Sequence, residues 1–341
     1  MKKLVLSLLG IFLLFSSCDR ESISTINVEK QQIVRRTNFV DFHVVDNTIH
    51  FATQEDVYKL EMELSSLNQS QLNEWEALNH FYSFRRKYDE VTDSLIKIDD
   101  ENHFFNFVES NKDVLMFEGE TLKPVVSNTT LAKYANPNGE YYVGEEKYFV
   151  RGEKVFMCES NEILYDIYPN DKKIKAVADY GTRVSAFQEN SGKSRKCDFE
   201  IVSGFEVCDV RNCGSVEFNH VINARVYNYK KVFGVWTPYK TACRVIDGAF
   251  EINTPFSTEE KNDKSCLYKD FDYHLVNGTF SKYSDPDNDV KTLEFQVFKG
   301  TILIREKGID IPNPPFVKIK GRASNRGLTN EGLWAIINNG Y

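Results

Sequence analysis

The chain is predicted to be an α+β protein. A small N-terminal α+β region (a hairpin, two to three helices and strands) precedes a mostly antiparallel, β-sandwich-like domain. Three observations carry this. Helical periodicity is confined to the first third. Beyond about residue 114, short apolar runs are punctuated by Gly, Pro, Asn and Asp, the mark of strands and turns. The chain also holds 17 Tyr and 25 Phe, residue types that favour a pleated, half-buried surface.

The elements follow in order. Phe39 to Val45 and Thr48 to Ala52 flank Asp46-Asn47, two residues that tolerate positive φ and so suit a two-residue hairpin turn. In that register Val40, Phe42, Val44, Ile49 and Phe51 share one face. Asp41, His43, Thr48 and His50 share the other. Thr53 is the expected N-cap of a helix, with Asp56 in its first turn and Val57, Leu60 and Leu64 on its buried side. Asn68-Gln-Ser70 opens a longer helix along the stripe Leu72, Trp75, Leu78, Phe81, Phe84, Tyr88, Val91 and Leu95. A third helical segment covers about 102–109. Pro137-Asn-Gly139 is a turn between strands, and Ser191 to Lys196 is polar enough to be a domain boundary. The division is therefore 1–17, 18–36, 37–190 and 191–341, the last part almost entirely strands.

The first two of those parts concern address. Met1-Lys2-Lys3, a mostly apolar run from Leu4 to Phe15 and the junction Ser16-Ser17-Cys18 have the three regions of a secretory signal. The run falls short of the about 20 residues a transmembrane helix needs. The arrangement resembles a bacterial lipoprotein signal, which implies cleavage before Cys18, lipidation of its thiol, and residues 18–36 as a tether. Phe15 departs from the usual aliphatic residue three places before the cysteine. An outer-membrane lipoprotein facing the periplasm or the cell surface, held by palmitate-type acyl chains, is the expectation. Loss of residues 1–17 takes the formal charge from -8 to -10. No basic block offsets it, so nucleic acid is excluded as a partner by charge. The membrane is then reached through the anchor alone, and a glycan or an envelope protein remains as partner.

Six cysteines remain after Cys18, and an exported chain can pair them. Cys208 and Cys213, with four residues between them, are candidates for a tight disulfide loop. Zinc is the weaker reading, because no CxxC is present. No HExxH, GxSxG, glycine-rich phosphate loop or GxGxxG occurs, so no catalytic residue and no cofactor is assigned. His43 and His50, opposite each other across the hairpin with Asp41 nearby, are candidate ligands for a transition metal; an ordinary cross-strand polar pair is the alternative. Asp285, Asp287 and Asp289 alternate as calcium ligands can, but Val290 and Gln296 stand where an EF-hand needs glycine and glutamate, so a solvated turn competes. Trp236 and Tyr239 are candidates for an aromatic platform under a sugar or a partner, with core packing as the rival.

Taken together, the chain resembles the uncharacterised lipoproteins of Bacteroidetes. The likeness rests on Phe15-Ser-Ser-Cys18, Phe39-Val-Asp-Phe42 with Ile49-His-Phe51, Thr53-Gln-Glu-Asp56, Asn136-Pro-Asn-Gly139 with Tyr142-Val-Gly144 and Tyr148, and Ser324-Asn-Arg-Gly327 with Trp334-Ala-Ile-Ile337. Asp93-Ser94-Leu95 is similar to the acceptor for O-glycosylation in those bacteria, which implies Ser94 as acceptor. The resemblance implies no activity. A binding or interaction protein is the leading reading, and a glycan-active envelope hydrolase the alternative.

Overall fold

The computed structural model describes residues 40–340, apart from 153, 159–173, 211–214, 258–270, 285–288 and 307–315. The fold is α+β, helices first and sheet after. Strands β1 (Phe42–Val45) and β2 (Thr48–Phe51) form the expected hairpin. Asp46 and Asn47 sit at φ 47° and 59° in its turn, which lets the flanking strands keep their right-handed twist. The register pairs Val44 with Ile49 and Phe42 with Phe51. Ile49 and Phe51 are buried in the N-terminal core, with Phe42 and Val44 packed against it.

Helix α1 (Gln54–Ser65) starts at Thr53, whose hydroxyl accepts from the Asp56 amide while the Asp56 side chain accepts from the Thr53 amide. This reciprocal cap satisfies two amides that the first turn would otherwise leave open. The stripe from Leu72 to Leu95 is split between α2 (Gln69–Leu78) and α3 (Phe84–Leu95), not carried by one long helix. Two local causes break it. His80 adopts φ 52° just past α2, so that the Phe81 amide turns back onto the Glu76 carbonyl at 2.9 Å. Ser83 then caps a new helix by accepting from the Arg86 amide. The break leaves Leu78 65% exposed, although its spacing placed it on the buried stripe. Helix α4 (Glu101–Ser110) matches the third expected segment.

Strands β3 (Leu115–Glu118), β4 (Thr121–Pro124), β5 (Glu140–Val143), β6 (Glu146–Arg151) and β7 (Lys154–Cys158) complete the first half, with the short helix α5 (Leu131–Tyr134) between β4 and β5. Gly139, at φ 78°, makes the turn into β5. A Cβ there would lie 2.9 Å from the Arg151 guanidinium and 3.0 Å from the Val150 carbonyl.

The second half consists of β8 (Ile174–Glu189), β9 (Arg195–Val210), β10 (Ser215–Val232), β11 (Val235–Pro238), β12 (Cys243–Ser257), β13 (Phe271–Tyr283), β14 (Thr292–Glu306), β15 (Phe316–Asn325), helix α6 (Arg326–Thr329) and β16 (Ala335–Asn339). One sheet runs β1-β2-β5-β6-β7-β8-β9-β10-β11-β4-β3, with β14 also paired to β10; the other runs β13-β12-β15-β16. All pairings are antiparallel except β2 with β5 and β11 with β4. Ser191 to Ser194 lies in the turn joining β8 to β9, so the first sheet runs through this polar stretch.

The two sheets face each other as a sandwich. Phe199, Ile201, Ile222, Ala224 and Val226 from β9 and β10 meet Val245, Phe250, Ile252, Ile319, Ala323 and Ile337 from the other sheet. Cys197 and Cys243 lie in this core as free, buried thiols, and burial pushes the pKa of both up. The opposite face of β9 and β10 carries Lys196, Asp198, Glu200, Asn223, Arg225, Tyr227 and Tyr229, all buried. Glu200 meets Lys123 of β4 at 3.0 Å and Arg183 of β8 at 2.7 Å. An ionic seam thus joins the strand-rich half to the N-terminal region.

Candidate binding cleft at the free edge of the sheet

The N-terminal hairpin also builds a concavity, a cleft of about 570 Å³ lined by Val40, Phe42, His43, Val44, Asp46, Asn47, Asn79 and His80. One wall is β1, the terminal strand of the long sheet. The other is the linker between α2 and α3. Asn47 fixes the distance between them, because its side-chain amide donates to the Tyr82 carbonyl at 3.0 Å and accepts from the Tyr82 amide at 2.7 Å. Replacing Asn47 with alanine is expected to lower the unfolding free energy by about 2 kcal/mol. The change removes two hydrogen bonds and a residue suited to the left-handed turn. Urea denaturation checks it, and a loss under about 0.5 kcal/mol would show that the clamp does not hold the wall.

The main chain of β1 gives the cleft its chemistry. In a two-residue hairpin the residues flanking the turn exchange both backbone hydrogen bonds, and the pattern repeats at every second position. Val45 and His43 therefore aim their backbone groups at β2, as does the Asp41 carbonyl, which accepts from the Ala52 amide at 3.1 Å, while the Asp41 amide donates to the Asp56 carboxylate at 3.3 Å. Phe42 and Val44 turn theirs outward. Among the described residues no strand pairs with that edge. Asp46 is the only formally charged side chain among the described residues lining the cleft, and no lysine or arginine is among them.

The opposite wall contains a costly residue. His80 occupies the left-handed position after α2 where glycine is usual. A side chain there costs about 1 kcal/mol. The surrounding hydrogen bonds hold it so, with its ring exposed at the rim.

His43 and His50 are brought together as their cross-strand pairing predicts, with ring centroids 5.2 Å apart and planes 22° from parallel. Tyr142 of β5 stacks on the far side of His50, at 4.4 Å and 1°. Stacked rings send their nitrogen lone pairs side by side instead of toward one point, so the pair does not form a chelating geometry. No group of three His, Cys, Asp or Glu suited to a metal occurs among the described residues. Burial, with the neighbouring His43 second, lowers the pKa of His50.

The other predicted positions scatter. Cys18, Cys213, Asp285 and Asp287 lie outside the described residues, as does the side chain of Cys208. Asp289 accepts from the Arg326 guanidinium at 3.1 Å. Trp236 is buried with Tyr227 and Tyr229, and the ammonium groups of Lys196 and Lys231 lie over its ring at 5.9 and 4.8 Å. Arg195 covers the Tyr239 ring at 4.6 Å. These rings are packed and capped, which leaves no open platform. Ser94 lies inside α3 with its hydroxyl donating to the Glu90 carbonyl at 2.9 Å, between an ion-paired Asp93 and a fully buried Leu95.

Two polar clusters went unnoticed in the sequence. In the ionic seam, burial lifts the pKa of Asp198 against the pull of Lys196, 3.0 Å away. Burial also works to lower that of Lys123, but Glu200 and Glu118 outweigh it and hold the ammonium above its usual range. The second cluster is Ser203, His220 and Thr254. Ser203 Oγ lies 2.6 Å from His220 Nε2, and Thr254 Oγ1 lies 2.7 Å from Nδ1. A hydroxyl beside an imidazole is the arrangement of an activated nucleophile. All three residues are completely buried, so a substrate cannot reach them, and the third partner is a hydroxyl where a carboxylate would stabilise an imidazolium.

No family model and no curated protein matches the chain. Among solved structures it is similar to a DUF4848 family protein from Bacteroides thetaiotaomicron VPI-5482. The identity is 13%, over 87% of this chain and 100% of that one, with a TM-score of 0.29. A likeness that loose carries neither fold nor function across.

Proposed function

We propose that the chain is a lipid-anchored protein of the outer membrane, facing the periplasm or the cell surface, whose folded body binds a partner. The observation that carries the anchor is Cys18 behind a short apolar run and Ser16-Ser17. Binding is supported by the cleft, an open concavity with a double amide clamp between its walls, bordered by an edge of β1 with which no strand pairs among the described residues. The hydroxyl–imidazole pair, by contrast, is sealed in the sandwich, and the acids Glu200 and Asp198 of the seam are engaged in ion pairs.

Fractionation of cells expressing the protein and its Cys18→Ala variant tests the anchor. The wild type is expected in the membrane fraction and labelled by palmitate, the variant soluble and unlabelled. A variant that stays in the membrane would sink the reading. A single acyl chain binds only reversibly, so complete retention of the wild type requires more than one chain.

A further inference from the structure

We propose that the free edge of β1 accepts an extended, basic polypeptide segment of a partner protein as an additional strand. The proposal rests on the reading of the chain as a binding protein and names the class of its partner. Phe42 and Val44 present outward-facing backbone donors and acceptors two residues apart. That repeat of about 6.8 Å is the hydrogen-bonding repeat of another strand. A sugar offers no such repeat. The cleft gives this edge a wall on its far side, so an added strand would lie between β1 and the Asn79–His80 linker.

Charge selects the partner. The only formal charge among the described lining residues is the Asp46 carboxylate, and the chain as a whole carries -8. A strand with Lys or Arg near the turn end would be drawn in, and an acidic strand repelled. The flanking Phe42 and Val44 side chains, half-buried on the core face, offer apolar contact to alternate residues of the incoming strand. Main-chain bonds would supply affinity and these contacts specificity, the division of labour in strand addition generally.

The test selects binders to the full folded protein from a random library of peptides about ten residues long and reads amide hydrogen exchange. Selected peptides are expected to be enriched in Lys and Arg and to slow exchange at Phe42 and Val44 about tenfold or more. N-methylation at alternate peptide amides should abolish binding while keeping every side chain. Val44→Pro should weaken binding about tenfold or more, because proline deletes an outward N–H and spares the ladder with β2. Several results would overturn the proposal: selection that returns no binder, N-methylated peptides that bind equally, or a glycan mixture that moves these amides when peptides do not. Amides already protected in the free protein would give the edge to the chain's own N-terminal residues, and also overturn it. Peptides that bind elsewhere would sink the β1 assignment and leave the broader binding reading standing. The anchor is judged separately by Cys18→Ala.

Discussion

Replacing Lys291 with methionine is expected to destabilise the fold by about 3 kcal/mol and to loosen α3 from the sandwich. Lys291 lies immediately before β14, and its ammonium is buried over the Tyr88 ring at 5.7 Å. It donates to the Asp89 carbonyl at 2.8 Å, the Asp89 carboxylate at 3.0 Å and the Thr92 hydroxyl at 2.5 Å, and pairs with Asp93 at 2.9 Å. One side chain from the strand-rich half thus satisfies four oxygens of one helix. Breaking a buried ion pair from one side costs about 3–5 kcal/mol. The lower end applies, because Asp89 keeps Gln69 and Arg85 and Asp93 keeps Lys240 at 2.7 Å. Both carboxylates also retain some solvent. Burial works to raise the pKa of Asp93, yet Lys240 and Lys291 overcome it and hold it below the usual carboxylate range. Adding Asp89→Asn to the methionine variant should recover part of the loss. Denaturation of the four members of that cycle measures the coupling. A methionine variant within about 0.5 kcal/mol of wild type would show that α3 is held by its apolar face alone.

Local elements were legible where a few neighbouring residues decide them. Asp46-Asn47 could take positive φ at two successive positions, and the register of the hairpin followed, down to the facing pair His43 and His50. Thr53 and Asp56 declared their reciprocal cap in the same way. The division of the long stripe into α2 and α3 was hidden by its own regularity. Phe81 and Phe84 keep the helical spacing across the break, and His80 in the left-handed position carries no compositional signal as glycine would. The length of β10 was not legible in the same way, because it tolerates register shifts after His220 and Ile222 that interrupt simple alternation.

The polar chemistry was harder to read, for a physical reason. Lys196, Asp198 and Glu200 alternate with Cys197, Phe199 and Ile201, the pattern of a strand with one wet face. That face is covered by β4, distant in sequence, and the charges survive burial because each meets an opposite charge: Lys123 of the cover for Glu200, Lys196 on the same strand for Asp198, and Glu294 of β14 for Arg225 at 3.0 Å. Trp236 and Tyr239 fell to the same effect, since the lysines and arginine that cap them come from other strands. The cleft combined both cases. Its hairpin wall was visible, but the wall across it depends on an Asn47–Tyr82 contact that spans 35 residues.

Stability is expected to fall by about 3 kcal/mol between pH 6.5 and pH 4 through His220 alone. Its imidazole is buried among Phe205, at 5.0 Å, and Phe298, at 6.0 Å, with the Ser203 and Thr254 hydroxyls on its nitrogens. Burial lowers its pKa from 6.5 to about 4. The sign follows from proton binding. Between those two values the unfolded chain takes up a proton that the folded chain refuses, so acid favours unfolding. The contribution is fully present above pH 6.5 and lost as pH falls toward 4. The shift of about 2.5 units sets the size, at about 1.4 kcal/mol per unit. Asp198 works the other way at the acid end of that window, above its ordinary value of 3.8. Its raised pKa means the folded chain gains a proton before the unfolded one does. His50, lowered to a smaller degree at a more open site, adds little in the same range. Measuring stability against pH for wild type and His220→Gln separates these. The variant should be less stable at pH 7, because glutamine cannot reach both hydroxyls in the geometry of the ring. Its curve between pH 6.5 and 4.5 should nevertheless be nearly flat where the wild type slopes. Parallel curves would mean that the imidazole accepts its proton inside the fold, which would require the two sheets to open around it well above pH 4.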